Sequence, residues 1–209
     1  MLRATPTPDL LIATPGVAGV DEAGRGPLAG PVVVAAVLLP ENFNLKGIQD
    51  SKKITPERRN ELAQRIRNEA ELSWVAIEPS EIDRLNILGA TLVGMTRALG
   101  GLGLHVTEAL IDGNHAPRGT RQKVSPIVKG DATYAAIAAA SIMAKTIRDQ
   151  IMVEYAIQYP RYGFNRNFGY PTPDHLEALR QNGPCPIHRR SFAPVRAVVE
   201  MPGLFDALD

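Results

Sequence analysis

The chain has 209 residues, 44% hydrophobic and 22% charged, as is ordinary for a soluble globular protein that can bury a sizeable core. Its formal net charge of +1 excludes a uniformly basic protein, and its single cysteine, Cys185, excludes an internal disulfide and fits a reducing compartment. No apolar run approaches the roughly 20 residues of a membrane helix, and prolines in Met1-Leu2-Arg3-Ala4-Thr5-Pro6-Thr7-Pro8 stand where an export signal is apolar, so the expectation is a cytoplasmic protein with no membrane contact.

Residues 1–16, proline-bearing and without periodicity, are expected as a flexible arm, and residues 17–209 as one domain. Val17-Ala18-Gly19-Val20 reads as a short strand running into the adjacent acids Asp21 and Glu22, with Gly24-Arg25-Gly26 just beyond. The unbroken apolar run of Pro31 to Leu39 predicts a strand buried on both faces. Thr55 and Pro56 are the N-cap and first position of a helix to about Ala70, and Leu72 to Ile77 reads as a strand. Ser80-Glu81-Ile82-Asp83 resembles a capping box, opening helical structure that Gly100-Gly101 ends. Strands are expected over Glu108 to Asp112 and Val124 to Val128, then a long helix from about Tyr134 to Tyr159 whose alanine-rich start suits close packing on a sheet. A last helix is expected between Thr172 and Gly183, with an irregular remainder rich in proline. Strands interleaved with helices predict an α/β domain with its site at strand ends.

Four acids share those contexts: Asp21, Glu22 and Asp112 after strands, and Asp131 before the long helix. Oxygen ligands without histidine or cysteine favour a hard cation, Mg²⁺ or Mn²⁺. Two such ions suit in-line attack on a phosphodiester. Between Arg121 and Arg196 there are 11 Lys/Arg against 5 Asp/Glu, an excess of 6 that allows a basic face toward nucleic acid. Lys52, Lys53, Lys145, Arg189 and Arg190 are candidates for phosphate contacts, which position a duplex without reading its sequence. His188 reads as a turn-stabilising group ahead of a proton-transfer group, and Ser141, within the alanine-rich helix, as a packing hydroxyl ahead of a phosphate contact.

Seven motifs then occur in order: Asp21-Glu22-Ala23-Gly24-Arg25-Gly26, Asp50-Ser51-Lys52, Ile111-Asp112-Gly113-Asn114, Lys129-Gly130-Asp131, Ala139-Ala140-Ser141-Ile142-Met143-Ala144-Lys145, Phe168-Gly169-Tyr170-Pro171-Thr172 and His188-Arg189-Arg190-Ser191-Phe192. Together they resemble the bacterial ribonuclease HII (type 2 ribonuclease H) family over residues 17 to 195. The resemblance implies a ribonuclease H-like mixed β-sheet flanked by helices, with a small helical C-terminal part at about residues 160–209. It implies an Asp-Glu-Asp-Asp catalytic and metal-binding set on Asp21, Glu22, Asp112 and Asp131. It also implies that Gly24, Arg25 and Gly26 recognise the 2′-hydroxyl at an RNA–DNA junction through backbone groups, and that Tyr170 stacks on the next deoxyribose.

The function this implies is a two-metal endoribonuclease with Mn²⁺ or Mg²⁺ as cofactor. It would cut the RNA strand of RNA–DNA hybrids and incise duplex DNA at single ribonucleotides, leaving 3′-hydroxyl and 5′-phosphate ends. The alternative is a non-catalytic hybrid-binding module of the same fold; a nucleotide-binding enzyme is disfavoured because neither phosphate-loop pattern, G-x-x-x-x-G-K-[ST] or G-x-G-x-x-G, occurs. Nothing points to an obligate oligomer, so a monomer is expected, and Pro202-Gly203-Leu204-Phe205 weakly resembles sliding-clamp-binding peptides.

Overall fold

The computed structural model describes residues 12–48 and 54–200. Lys52 and Lys53, the arm before Ile12 and the segment containing Pro202 to Phe205 lie outside the described residues. The described residues divide into two compact units: those within 12–22, 34–75 and 95–146 form one, and those within 23–33, 76–94 and 147–200 the other.

A mixed five-stranded sheet supplies most of its strand residues to the first unit. Its strands are β1 (Val17–Ala23), β2 (Val32–Leu38), β3 (Glu71–Ile77), β4 (Glu108–Asp112) and β5 (Lys123–Ile127), in the order β3-β2-β1-β4-β5. β1 runs parallel to β4, and β4 parallel to β5. β2 is buried from Val32 through Val37, as its uninterrupted apolar run demands of a strand covered on both faces. α1 (Pro56–Glu69) starts with the Thr55 side chain accepting from Arg58 N at 3.3 Å, and buries Arg59, Leu62, Ala63 and Ile66, one face of a 3.6-residue period. β1 extends through Asp21 and Glu22, so these acids lie within the strand rather than after it.

α3 (Ala135–Gln158) gives residues 135–146 to this unit. Ala135 through Ala140 are buried, and a Cβ on Gly19 would fall 2.1 Å from the carbonyl carbon of Ala136. Glycine in β1 and alanine in α3 therefore allow main chain to meet main chain. Ile12, from the stretch expected as an arm, donates to Thr133 O at 2.8 Å and accepts from Ala135 N at 3.0 Å.

The second unit contains most of α2 (Pro79–Gly100), the latter part of α3, and α4 (Phe164–Asn167), α5 (Pro173–Asn182) and α6 (Ala193–Glu200). α2 begins at Pro79, and Asp83 does not close the expected capping box. Its carboxylate instead accepts from Arg190 N and Ser191 N, both at 2.9 Å, and from the Ser191 hydroxyl at 2.6 Å. Non-helical backbone at Asn86, with φ of 59°, kinks this helix. The stretch after Gly183 is not irregular throughout: Pro194 sits in the first turn of α6, where a missing N–H is harmless. One core here gathers Ala29, Met152, Tyr162, Phe164, Cys185 and Ile187, and a second gathers Leu28, Leu179 and Val195.

His175 and His188 are buried in this unit with their Nε2 atoms 3.1 Å apart. Burial pushes both imidazoles down, His188 to about 4, with His175 alongside adding to the shift of His188. The unfolded chain therefore binds these protons more tightly than the folded one. Stability is complete above the ordinary histidine value near 6.5 and is lost as pH falls from there toward 4, by on the order of 3 kcal/mol for His188. Urea unfolding at a series of pH values should show that decline, and His188→Gln should flatten it.

Candidate active site

Strand register brings the first pair of acids together. Val20 pairs with Ile111 on adjacent parallel strands, so Asp21 and Asp112 follow side by side and leave the same face. Asp21 is only 6% exposed, and its Oδ1 accepts from Glu22 N at 2.7 Å. Asp112 ends β4, where its Oδ1 accepts from Gly130 N at 2.8 Å and Asp131 N at 3.3 Å. These bonds tie Asp112 to the short 3₁₀ turn Gly130–Ala132, which carries half-buried Asp131.

Burial pushes the Asp21 carboxyl well above the usual carboxylate range, and the negative charges of Glu22 and Asp112 push it further. The Ser141 hydroxyl and the Glu22 N–H oppose that shift by hydrogen bonding to the carboxylate. Ser141 is thus more than the packing hydroxyl expected from its alanine neighbours: α3 aims it at Asp21. Lys145, half-buried one turn further along α3, shares that helix face.

Among the described residues no three His, Cys, Asp or Glu side chains close into a ready-made coordination cluster. The donor chemistry nonetheless fits a hard divalent cation. Oxygen ligands dominate, and a buried carboxylate held against two like charges is relieved by a positive ion more than by any neutral partner.

The glycine loop belongs to the second unit. Gly24 has φ of +94°, and a Cβ there would fall 2.0 Å from Arg148 Nε. At Gly26 a Cβ would meet nothing closer than Tyr170 Cε1 at 3.7 Å, an ordinary contact. Gly24 is therefore required by the loop itself, whereas Gly26 leaves open surface. Arg25 is exposed, and Tyr170 is 41% exposed.

Two buried arginines hold this loop from within. Arg189 reaches Gly24 O at 2.6 Å through NH2, Arg25 O at 3.0 Å through NH1, and Gly30 O at 3.0 Å through Nε and 2.8 Å through NH2. Arg148 donates to Pro31 O at 3.0 Å and Ala29 O at 3.2 Å, with its guanidinium 5.8 Å from the Tyr170 ring centroid. Burial lowers both, Arg189 to about 9 and Arg148 to about 10. Arg189 is 0% exposed, so it is a main-chain clamp and not the surface phosphate contact expected of it. The charge excess counted from sequence accordingly overstates the basic surface by these two residues. Arg148 had no sequence signal at all, because an arginine in a helix ordinarily reads as solvated.

Residues 18–195 match the model of the Ribonuclease HII family. The chain belongs to the ribonuclease HII family. A curated "Ribonuclease HII" from Thiobacillus denitrificans is 51% identical over 201 residues, covering 95% of this chain and 98% of the relative. The crystal structure of ribonuclease H2 from Pyrococcus horikoshii is similar with a TM-score of 0.76 and 29% identity, covering 90% of this chain and 99% of that one. RNase HII from Archaeoglobus fulgidus, solved as a complex with PCNA, gives a TM-score of 0.70 at 28% identity, covering 83% of this chain and 92% of that one. The mixed sheet with flanking helices is the fold these structures share.

The two neighbouring arginines separate cleanly. Arg189→Met strands three main-chain carbonyls and should lower unfolding free energy by about 2–4 kcal/mol, whereas Arg190→Met, on an exposed side chain, should stay within about 0.5 kcal/mol. Denaturant titration of both variants checks the contrast.

Proposed function

We propose that this protein is a divalent-metal-dependent endoribonuclease that hydrolyses the RNA strand of RNA–DNA hybrids and incises duplex DNA at single ribonucleotides. The observation that carries the reading is Asp21, buried against Glu22 and Asp112 in a chain of the ribonuclease HII family. A pure binding module gains nothing from packing carboxylates where phosphates must approach.

Asp21, Glu22, Asp112 and Asp131 would hold Mg²⁺ or Mn²⁺. When bound, two such ions supply Lewis-acid polarisation of the phosphate and an activated water. Ser141 orients Asp21, and the N–H groups of Gly130 and Asp131 orient Asp112, so two acids are fixed before substrate arrives. Water adds to phosphorus and the bond to the upstream 3′ oxygen breaks, leaving 3′-hydroxyl and 5′-phosphate ends.

Ribose is told from deoxyribose by contact with the 2′-hydroxyl. The open backbone at Gly26 admits that contact, with Gly24 and Arg25 shaping the loop and their carbonyls held inward by Arg189. Tyr170 offers a ring to the following sugar, and Lys52 and Lys145 take phosphates. We further propose that residues 17–209 act as one catalytic domain, as a monomer in the cytoplasm. No helix among the described residues is long and apolar enough to cross a membrane. Given the PCNA complex of the Archaeoglobus fulgidus relative, Pro202 to Phe205 is the segment to test for a sliding-clamp contact.

Asp112→Asn should retain hybrid binding while cleavage with Mg²⁺ falls by at least about a thousandfold, the scale of losing a group that acts in the transition state. Gel-shift and cleavage assays, with and without EDTA, separate an enzyme from a binding module; normal turnover by the variant would falsify the assignment. Gly26→Ala should leave the melting temperature unchanged, yet cut incision at a single ribonucleotide by about 5- to 100-fold, as expected when a 2′-hydroxyl loses its partner. Mapping products on a duplex with one ribonucleotide reads this directly, and unimpaired incision sinks the role of Gly26.

A further inference from the structure

Behind Tyr170 lies a buried hydrogen-bonded chain that no step above uses. His175 Nδ1 is 2.8 Å from Tyr170 O, His175 Nε2 is 3.1 Å from His188 Nε2, and His188 Nδ1 is 3.1 Å from both Cys185 N and Cys185 Sγ. His175 is 0% and His188 1% exposed. The Tyr162 ring stands edge-on to His188 at 5.0 Å, and the Phe164 ring edge-on to His175 at 5.4 Å.

These contacts leave one arrangement of protons. A carbonyl only accepts, so His175 Nδ1 carries a proton and donates to Tyr170 O. With His175 neutral, its Nε2 is a lone pair, and His188 Nε2 must be the donor across the 3.1 Å contact. His188 Nδ1 is then an acceptor, filled by the Cys185 N–H, with the Cys185 sulfur alongside. Burial keeps the participants uncharged, with the thiol pushed up to about 11. Donation runs in one direction, from the Cys185 N–H through His188 and His175 to the main chain at Tyr170, with the Gly169 backbone also bonded to His175.

The backbone at the receiving end needs such support. Phe168 has φ of +47°, a conformation that side-chain-bearing residues rarely adopt, and Gly169 follows at +80°. Asn167 steadies this turn by donating to Tyr162 O at 2.6 Å and accepting from Gly169 N at 2.8 Å. Tyr170 O takes a second bond from Thr172 N at 2.8 Å, while its half-exposed ring lies beside Gly26 and the Arg148 guanidinium.

We propose that the Cys185–His188–His175 chain is a positioning device for Tyr170, fixing its main chain so that the ring stays against Gly26, ready for the substrate sugar. The inference rests on the reading of Tyr170 as a substrate contact. His175 and His188 touch no substrate; they act through Tyr170. Loss of the chain weakens substrate binding and leaves the carboxylate chemistry intact.

The test is a double-mutant cycle of His175→Leu and Tyr170→Ala on a duplex with one ribonucleotide, with thermal melting of each variant. His175→Leu should raise KM about tenfold with kcat within about twofold, the signature of lost uniform binding. His175→Asn, which keeps a donor near the Nδ1 position, should restore most of the affinity. The double variant should be no worse than Tyr170→Ala alone, since the two changes remove one contact. If Tyr170→Ala raises KM but His175→Leu does not, or if their effects multiply, the positioning role falls alone. If Tyr170→Ala leaves KM unchanged, the sugar-contact reading falls and the positioning role with it. Nitrogen-15 NMR of the unmodified protein tests the chain without any variant: protons on His175 Nδ1 and His188 Nε2 are expected, and the opposite tautomer at either ring overturns it.

Discussion

The repulsion that one buried carboxylate meets from two half-buried neighbours is the constraint on which the candidate site in the first unit depends. Asp21 sits within β1, shielded from water and against the charges of Glu22 and Asp112. Like charges in that setting disfavour ionisation. The protein offsets the penalty locally with single hydrogen bonds: the Ser141 hydroxyl and the Glu22 N–H to Asp21, and the Gly130 and Asp131 N–H groups to Asp112. Those bonds are neutral donors that orient the acids, and a divalent cation is the partner that would balance their charge. Placement of Ser141 depends in turn on Gly19, whose missing side chain lets α3 rest on β1.

The second unit, by itself, carries buried positive charge. Arg189 gives its donors to the carbonyls of Gly24, Arg25 and Gly30, and Arg148 gives Nε and NH2 to those of Pro31 and Ala29, an arrangement that rigidifies the loop and leaves guanidinium charge behind it. Hydrogen bonds to charged groups contribute about 1.5–3 kcal/mol each, so the four that Arg189 makes can offset its desolvation, whereas Arg148 makes two and its buried NH1 has none. The same loop presents Gly26 to the outside and the Tyr170 ring beside it. Rigid support beneath and an open face above would suit the proposed discrimination by a single hydroxyl, because a loop free to adjust accepts either sugar.

Much of this was legible in the chain. The apolar run of β2, the Thr55 and Thr172 caps with proline following, and the alanine-rich start of α3 each encode their element locally. Misreadings came where a local signal was answered by a distant partner. Asp83 looked like a helix cap but binds the backbone of Arg190 and Ser191, over a hundred residues on. Prolines after Gly183 looked like breakers, yet Pro194 fits the first turn of α6. Arg189 and Arg190 are indistinguishable by residue type; one is buried against carbonyls of the glycine loop and the other is exposed.

By itself the sequence set out the candidate site residues, acids at strand ends, glycines flanking an arginine and a tyrosine after the long helix, and with them membership of the ribonuclease HII family. Composition and spacing are local properties, and local properties survive in a string of letters. The tertiary structure alone decided that Asp21 and Asp112 are neighbours by parallel register, that Gly24 serves the loop while Gly26 serves the surface, and that Cys185, His188 and His175 form one directed chain. Each of these depends on contacts between segments far apart in sequence, and on protons assigned by what lies opposite, which no single stretch of the chain contains.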